Sequence, residues 1–331
     1  MCGFVGFASA KHNAEQAKQT IKQMADLIAH RGPDGEGFYV DEQVALGHRR
    51  LSIIDLEGGS QPMFNEDGSV VIVFNGEIYN FMELRAHLET AGHTFATHSD
   101  TEVLIHGYEE WGSGLPAKLR GMFAFILWDK KNETLFGARD IFGIKPYYYY
   151  NEGGHFIFGS EIKGFLPHPG FKKELNEERL PEYLSIEYIP NEETMFKGVY
   201  KLPGAHMFTW KKGELKVERY YDIRYHVDES KSMEDWEKAI TETFAESVKV
   251  HQIADVEVGC FLSSGVDSSF VVNEVAKGTP KVKSFSVGYE EEKYSELPYA
   301  QAFSKEIGVP CISNKVSADE FFEANKTIQW Y

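Results

Sequence analysis

The sequence predicts an α+β layered domain followed by the opening of an α/β domain with a parallel sheet. Three observations carry this prediction. Strand-like runs come in blocks, with helical spacing beside them, from residue 1 to about residue 203; strand and helix alternate after residue 233; and a charged, polar stretch separates the two textures. A chain of 331 residues suits about two domains, each long enough to bury a core. The expected organisation is residues 1–208 as the first domain, 209–232 as a linker, or an edge hairpin over part of it, and 233–331 as the start of the second.

In the first region, the runs Gly3 to Phe7, Val70 to Phe74, Met122 to Trp128, Thr134 to Ala138 and Tyr147 to Tyr150 are rich in β-branched and aromatic residues and read as strands. Ala14 to Ala29 places Ala17, Ile21, Met24 and Ile28 on one helical face, and Phe81 to Ala91 and Thr101 to Trp111 give two further helices. In the second region a helix is expected over Met233 to Val250, with Trp236, Ile240, Phe244 and Val248 on one stripe. A strand (Val256 to Leu262), a helix (Ser268 to Ala276), a strand (Val282 to Val287) and a helix (Glu296 to Ile307) follow. Two strands fall short of a finished doubly wound sheet, so a partial second domain is expected.

Composition narrows the function. Hydrophobic residues make up 42% and charged residues 26%, as in ordinary folded proteins. A net charge of −17 repels a phosphate backbone, which argues against nucleic acid as a partner. No apolar run reaches membrane-spanning length, and residues 1–16 lack the layout of a secretion signal. Cys2, Cys260 and Cys311 are widely spaced and odd in number, which suits a reducing compartment. A cytoplasmic protein with small-molecule partners is expected, and a homodimer is admitted. The histidines form no His-Glu-x-x-His and the cysteines no Cys-x-x-Cys, so no metal site is expected.

Cys2 follows the initiator methionine. Once that methionine is removed, one residue carries both a thiol and a free α-amine, and an amine with a pKa of about 7.7–8 can take the thiol proton near neutral pH. Alone, such a cysteine reads equally as a small buried residue at the start of a strand. Four polar, turn-rich segments alter the balance: Arg31 to Gly35, Gly47 to Ser52, Asn75 to Asn80 and Ser99 to Glu102. They read as loops around a polar small-molecule site. Asn75 and Gly76 are suited to donate hydrogen bonds to an oxyanion. Arg49 suits a substrate carboxylate, and Glu77 and Asp100 suit its ammonium.

The segments MCGFVGF, HRGPDGEG, GHRRLSIIDL, FNGEIYNF, SDTEVLIHGYEEWG, LRGMFAFILWD and LFGARDIFGIKPYYY resemble the asparagine synthetases, glutamine amidotransferases of the N-terminal nucleophile group. The resemblance implies Cys2 as nucleophile, Asn75 and Gly76 as oxyanion hole, and Arg49, Ile53, Glu77 and Asp100 as glutamine contacts. It also implies a four-layer αββα sandwich, which the spacing of the elements does not itself disclose.

Val258 to Ser269 reads as a strand, a small-residue turn and a helix start, an arrangement that presents backbone N–H groups to an anion. On local chemistry a capped helix start serves equally well. The turn resembles the pyrophosphate loop of the ATP pyrophosphatases, with Ser264 where the family pattern has glycine. The resemblance implies contacts to ATP from Leu262, Ser263, Ser264, Gly265, Asp267, Ser268, Val287 and Gly288. Mg2+ and aspartate complete that site in the whole family protein, where an aspartyl adenylate is amidated by ammonia. The family's later Ser-Gly-x-Gly-x-Asp-Glu segment is not in this sequence, so the chain by itself is expected to hydrolyse glutamine only. Amidotransfer to another carboxylate, from a cell-wall or natural-product precursor, and a catalytically silent fragment are the rival readings.

Overall fold

The computed structural model describes all residues, Met1–Tyr331. The chain divides into two compact units, Met1–Tyr225 and His226–Tyr331. No helix is long and apolar enough to cross a membrane.

In chain order the first unit carries β1 (Gly3–Ser9), α1 (Ala14–Asp26), β2 (Gly35–Val40), β3 (Val44–Arg50), β4 (Met63–Phe64), β5 (Val70–Ile78), α2 (Phe81–Ala91) and α3 (Glu102–Trp111). It continues with β6 (Gly121–Asp129), β7 (Thr134–Arg139), β8 (Tyr148–Glu152), β9 (His155–Gly159), α4 (Leu180–Ile186), β10 (Val199–Lys201), β11 (His206–Lys211) and β12 (Glu214–Arg219). The strands form two antiparallel six-stranded sheets, ordered β10-β8-β9-β1-β3-β2 and β12-β11-β7-β6-β5-β4.

Phe4, Leu46, Val73, Ile126, Phe158 and Phe208 belong to the apolar cluster drawn from both sheets. The other face of the first sheet packs on α1, where Val5, Phe7 and Ala45 meet Ala17, Ile21, Met24 and Ile28. That helix starts cleanly because the Asn13 side chain accepts the Gln16 N–H at 3.1 Å. On the second sheet α3 packs against β5, with α2 beside it, and Tyr108 stacks on Phe136 at 5.4 Å. The layers are therefore α, β, β, α, the sandwich that the resemblance implies. His48 ties the sheets together by donating its Nε2–H to the Phe74 carbonyl at 3.0 Å, and burial pushes its pKa down to about 4, so the imidazole is neutral.

Two stretches expected as loops are strand. Gly47–Arg50 ends β3, and Asn75–Ile78 ends β5. The β2–β3 hairpin escapes periodicity because its second strand ends in His48-Arg49-Arg50. Its turn is held by Asp41, whose carboxylate accepts the N–H groups of Gln43 and Val44 at 2.8 and 2.7 Å and the Trp128 indole N–H at 2.7 Å. The segment expected as a linker from residue 209 begins within the second sheet, since β11 and β12 pair as an edge hairpin through Arg219.

The second unit holds α5 (Met233–Val250), β13 (Cys260–Phe261), α6 (Val266–Gly278), β14 (Ser284–Tyr289), α7 (Leu297–Glu306), β15 (Cys311–Val316) and α8 (Ala318–Ile328). Its sheet is parallel, ordered β13-β14-β15. A reciprocal capping box between Ser232 and Asp235 starts α5. The strand expected from Val256 is paired only at Cys260–Phe261, because its one ladder partner, β14, begins at Ser284. The third strand, β15, was not expected: Cys311-Ile312-Ser313-Asn314-Lys315-Val316 is too polar to announce itself and is defined by pairing with β14. One face of the sheet packs on helices through Cys260, Leu262, Val272, Val275 and Ala300. The other leaves Phe261, Val287 and Ile312 exposed at 87, 65 and 51%.

Candidate active site

Cys2 lies directly before β1, which runs between β9 and β3, so its place is fixed by ladders on both sides. Its sulfur accepts the Leu51 N–H at 3.3 Å and its thiol donates to the Leu51 carbonyl at 3.4 Å. Burial pushes the thiol pKa up, while the Leu51 N–H and the nearby Arg50 charge pull the other way. The resting sulfur is a neutral thiol. The Met1 amine at the chain end is held below its ordinary value, mainly by burial; the Cys2 charge opposes the fall, and Arg31 and Lys145 add to it.

Cys2 opens into a cavity lined also by Arg50, Leu51, Ile53, Gln61, Asn75, Gly76, Glu77, Asp100, Thr101 and Lys145. Asn75 is 1% exposed, and its Nδ2 has no hydrogen-bond partner in the fold. A buried amide donor left idle is costly unless something outside the fold uses it. Gly76 follows on the same strand. A Cβ there would lie 2.2 Å from the Met122 carbonyl oxygen, so the position admits only glycine where β5 meets β6.

Asp100 accepts the Ile78 N–H at 2.9 Å. Burial pushes its carboxyl up to about 7; the Ile78 N–H opposes the rise and the neighbouring Glu77 charge adds to it. Ile53 lines the same cavity, so Cys2, Asn75, Gly76, Glu77, Asp100 and Ile53 are brought together. Arg49 is not. Its Nε donates to the Ala25 carbonyl at 3.1 Å, and its guanidinium pairs with Glu36 at 2.6 Å and with Asp26. The arginine that lines the cavity is Arg50, braced by the carbonyls of Leu56 at 2.9 Å and Asp55 at 2.6 Å. Successive side chains on a strand point to opposite faces, so choosing between adjacent arginines requires knowing that they lie on β3.

Lys145 was also missed. It is 5% exposed, lies in the cavity, and donates from Nζ to the Met1 sulfur at 3.2 Å. Asp140 positions it by accepting the N–H groups of Phe123, Phe142, Ile144 and Lys145 at 2.8–3.2 Å. A lone lysine has no signature, although it sits in the segment DIFGIKP.

In the second unit, the turn from Ser263 to Ser268 joins the C-terminal end of β13 to the N-terminus of α6. Ser268 Oγ accepts the Ser263 N–H at 3.2 Å and donates to the Gly265 carbonyl at 3.2 Å. The helix start has no side-chain cap, which leaves its first N–H groups for a ligand. Ser264 has φ +71°, the left-handed region where its family pattern has glycine. Asp267 is exposed at the helix start. Leu262 is 3% exposed in the core, so only its backbone faces the turn. Gly288 is set by packing, since a Cβ there would meet Ser295 and Leu297 at 2.6 and 2.7 Å, while the Val287 side chain lies on the open face of the sheet.

A cysteine at the head of a central strand in an αββα sandwich, facing an idle amide donor across a polar cavity, defines the N-terminal nucleophile class. Comparisons narrow this: the glutamine amidotransferase domain family model matches residues 1–221, and the asparagine synthase family model matches residues 239–331. The chain belongs to the glutamine amidotransferase family. It is 41% identical over its whole length to asparagine synthetase [glutamine-hydrolyzing] 1 of Bacillus subtilis, covering 52% of that protein. It is 37% identical over 96% of its length to asparagine synthetase [glutamine-hydrolyzing] 3 of the same organism, covering 53% of it. The chain thus spans about half the length of the curated relatives it matches. Among solved structures, the glutamine phosphoribosylpyrophosphate amidotransferase of B. subtilis matches with a TM-score of 0.50 at 18% identity, over 94% of this chain and 65% of that one, a likeness of fold.

Proposed function

We propose that the chain hydrolyses glutamine at Cys2 and is the ammonia-supplying half of a glutamine-dependent asparagine synthetase. The observation that carries the reading is the cavity holding both the Cys2 sulfur and the unpartnered Asn75 amide. After removal of Met1, the Cys2 α-amine takes the thiol proton and the sulfur bonds to the substrate's side-chain carbonyl carbon. The oxyanion is met by Asn75 Nδ2–H and the Gly76 N–H. The α-ammonium returns the proton to the leaving nitrogen, ammonia departs, and water resolves the thioester to glutamate. Arg50, in place of Arg49, receives the substrate carboxylate, and Asp100 and Glu77 receive its ammonium.

For the second unit, we propose that the turn Ser263–Ser268 and the first N–H groups of α6 hold the phosphates of ATP, where Mg2+ in the whole enzyme would offset the phosphate charge. Support comes from the uncapped helix start at the C-terminal end of a parallel strand, where α/β sheets bind ligands. ATP supplies activation of a carboxylate for attack by ammonia; aspartate is the acid whose side-chain amide is the asparagine in the relatives' names. The domain reading is residues 1–208 for glutamine hydrolysis and 233–331 for part of the ATP-using domain, joined by 209–232, whose first part lies in the sheet. A cytoplasmic location with small-molecule partners is supported by the −17 charge and three free cysteines.

The test is a diazo-ketone analogue of glutamine, which alkylates a thiol bound beside it. Intact mass spectrometry should show loss of Met1 and one adduct, mapped to Cys2, in parallel with loss of glutaminase activity. Glutamine hydrolysis persisting at parent rate in Cys2→Ala would overturn the reading.

A further inference from the structure

Away from the glutamine cavity, two histidines and a glutamate converge between α3 and the segment after α2. One nitrogen from each of His93 and His106 and an oxygen of Glu109 lie within 4.8 Å of one another. His106 Nδ1 is 3.1 Å and His93 Nδ1 is 3.8 Å from Glu109 Oε2. Tetrahedral zinc at about 2.0–2.1 Å from nitrogen and oxygen ligands sets neighbouring ligand atoms about 3.4 Å apart, and these spacings bracket that value.

The surrounding groups are arranged as an outer shell would be. Metal-bound histidines commonly direct their second nitrogen at a carboxylate, which fixes the ring and frees the first nitrogen's lone pair. Here His106 Nε2 faces Glu102 Oε1 at 3.6 Å, and His93 Nε2 faces Glu110 Oε2 at 3.5 Å. Asn65 Nδ2 donates to Glu109 Oε1 at 2.8 Å, so the oxygen facing the histidines is the remaining one. Glu102 is itself anchored by the N–H groups of Ala96 and Thr97 at 2.7 and 2.8 Å. His106 is 2% exposed, so an ion held at its Nδ1 would be largely shielded from water.

We propose that His93, His106 and Glu109 form a binding site for a borderline divalent cation, zinc, with water as the fourth ligand. Two imidazoles and one carboxylate are a donor set that suits zinc over calcium or magnesium. The ligands come from two elements, i,i+3 on α3 and one from the loop before it, so no spaced motif announces the site. A bound ion pins residues 93–97 to α3, whose leading residues Asp100 and Thr101 line the glutamine cavity. Its role is structural.

The test uses the full chain carrying Cys2→Ser in every arm, so that an N-terminal thiol and amine do not capture the metal. After equilibration with zinc and gel filtration, metal analysis should find one more zinc per chain in this parent than in His93→Gln or Glu109→Gln. Cobalt substitution should give the intense visible absorption of tetrahedral Co(II) in the parent alone. Far-UV circular dichroism checks folding, and His93, on a loop, serves if Glu109→Gln is disturbed. Equal zinc in parent and folded variants, no zinc in the parent, or a cobalt spectrum of octahedral intensity would each overturn the proposal.

Discussion

Leu51 holds Cys2 from both sides, giving its N–H to the sulfur at 3.3 Å and taking the thiol proton on its carbonyl at 3.4 Å. If Cys2 is the nucleophile proposed above, it is aimed before substrate arrives, and the chemistry then requires a base and a home for the negative charge.

That home gives the first prediction. Asn75→Ala should lower the glutaminase kcat by about 10²–10³-fold with little change in KM, the loss typical of one oxyanion donor. Because the fold makes no use of Asn75 Nδ2, the loss should appear without unfolding on a thermal melt. A variant that falls mainly in KM would move Asn75 from the transition state to ground-state binding.

The paired arginines should separate cleanly. Arg50→Gln should raise the KM for glutamine by roughly tenfold or more, as loss of a charge-assisted hydrogen bond worth about 1.5–3 kcal/mol requires. Arg49→Gln should leave KM nearly unchanged and lower the melting temperature, since it breaks contacts to Ala25, Asp26 and Glu36. Steady-state kinetics and calorimetry on both variants decide it, and a raised KM in Arg49→Gln would reverse the assignment.

Asp100 should make glutamine binding pH-dependent. Its carboxyl, raised to about 7, is protonated at lower pH and cannot pair with an ammonium. KM should therefore fall as pH rises from about 5 to 7 and then level off. Asp100→Asn should flatten the profile at a poor KM. For the substrate-free fold the sign is opposite: a raised carboxyl pKa means that ionisation is resisted by the folded state, so stability declines as pH climbs from about 4, the unfolded value, to about 7. A KM profile rising with pH would contradict the assignment.

Ser264 occupies a left-handed conformation at φ +71°. Ser264→Gly should stabilise the second unit by about 0.5–1 kcal/mol, the steric relief outweighing the added freedom of the unfolded chain. Urea unfolding followed by the fluorescence of Trp236 measures it. A lowered midpoint would mean that the serine hydroxyl contributes more than the strain removes.

Much of this site was legible because its chemistry is local in sequence. Cys2, Asn75, Gly76 and Asp100 each announce a role by residue type, and the structure gathers them. Arg50 and Lys145 were not legible, for physical reasons. Which of two adjacent arginines enters a cavity depends on strand parity, and β3 was hidden by its charged end. Lys145 is placed by Asp140 through a cluster of backbone contacts that leaves no periodic trace. In the second unit helix α5 was plain from its stripe and cap, whereas β15 became a strand only through pairing with β14.

The uncovered side of the three-stranded sheet has a practical consequence at the bench. Parallel sheets are normally dressed on both faces, yet Phe261, Phe285, Val287 and Ile312 present a row of bare hydrocarbon. Handled alone, this polypeptide will tend to stick to itself and to vessel walls, so rates measured on it should be collected dilute, with light scattering followed in the same cuvette.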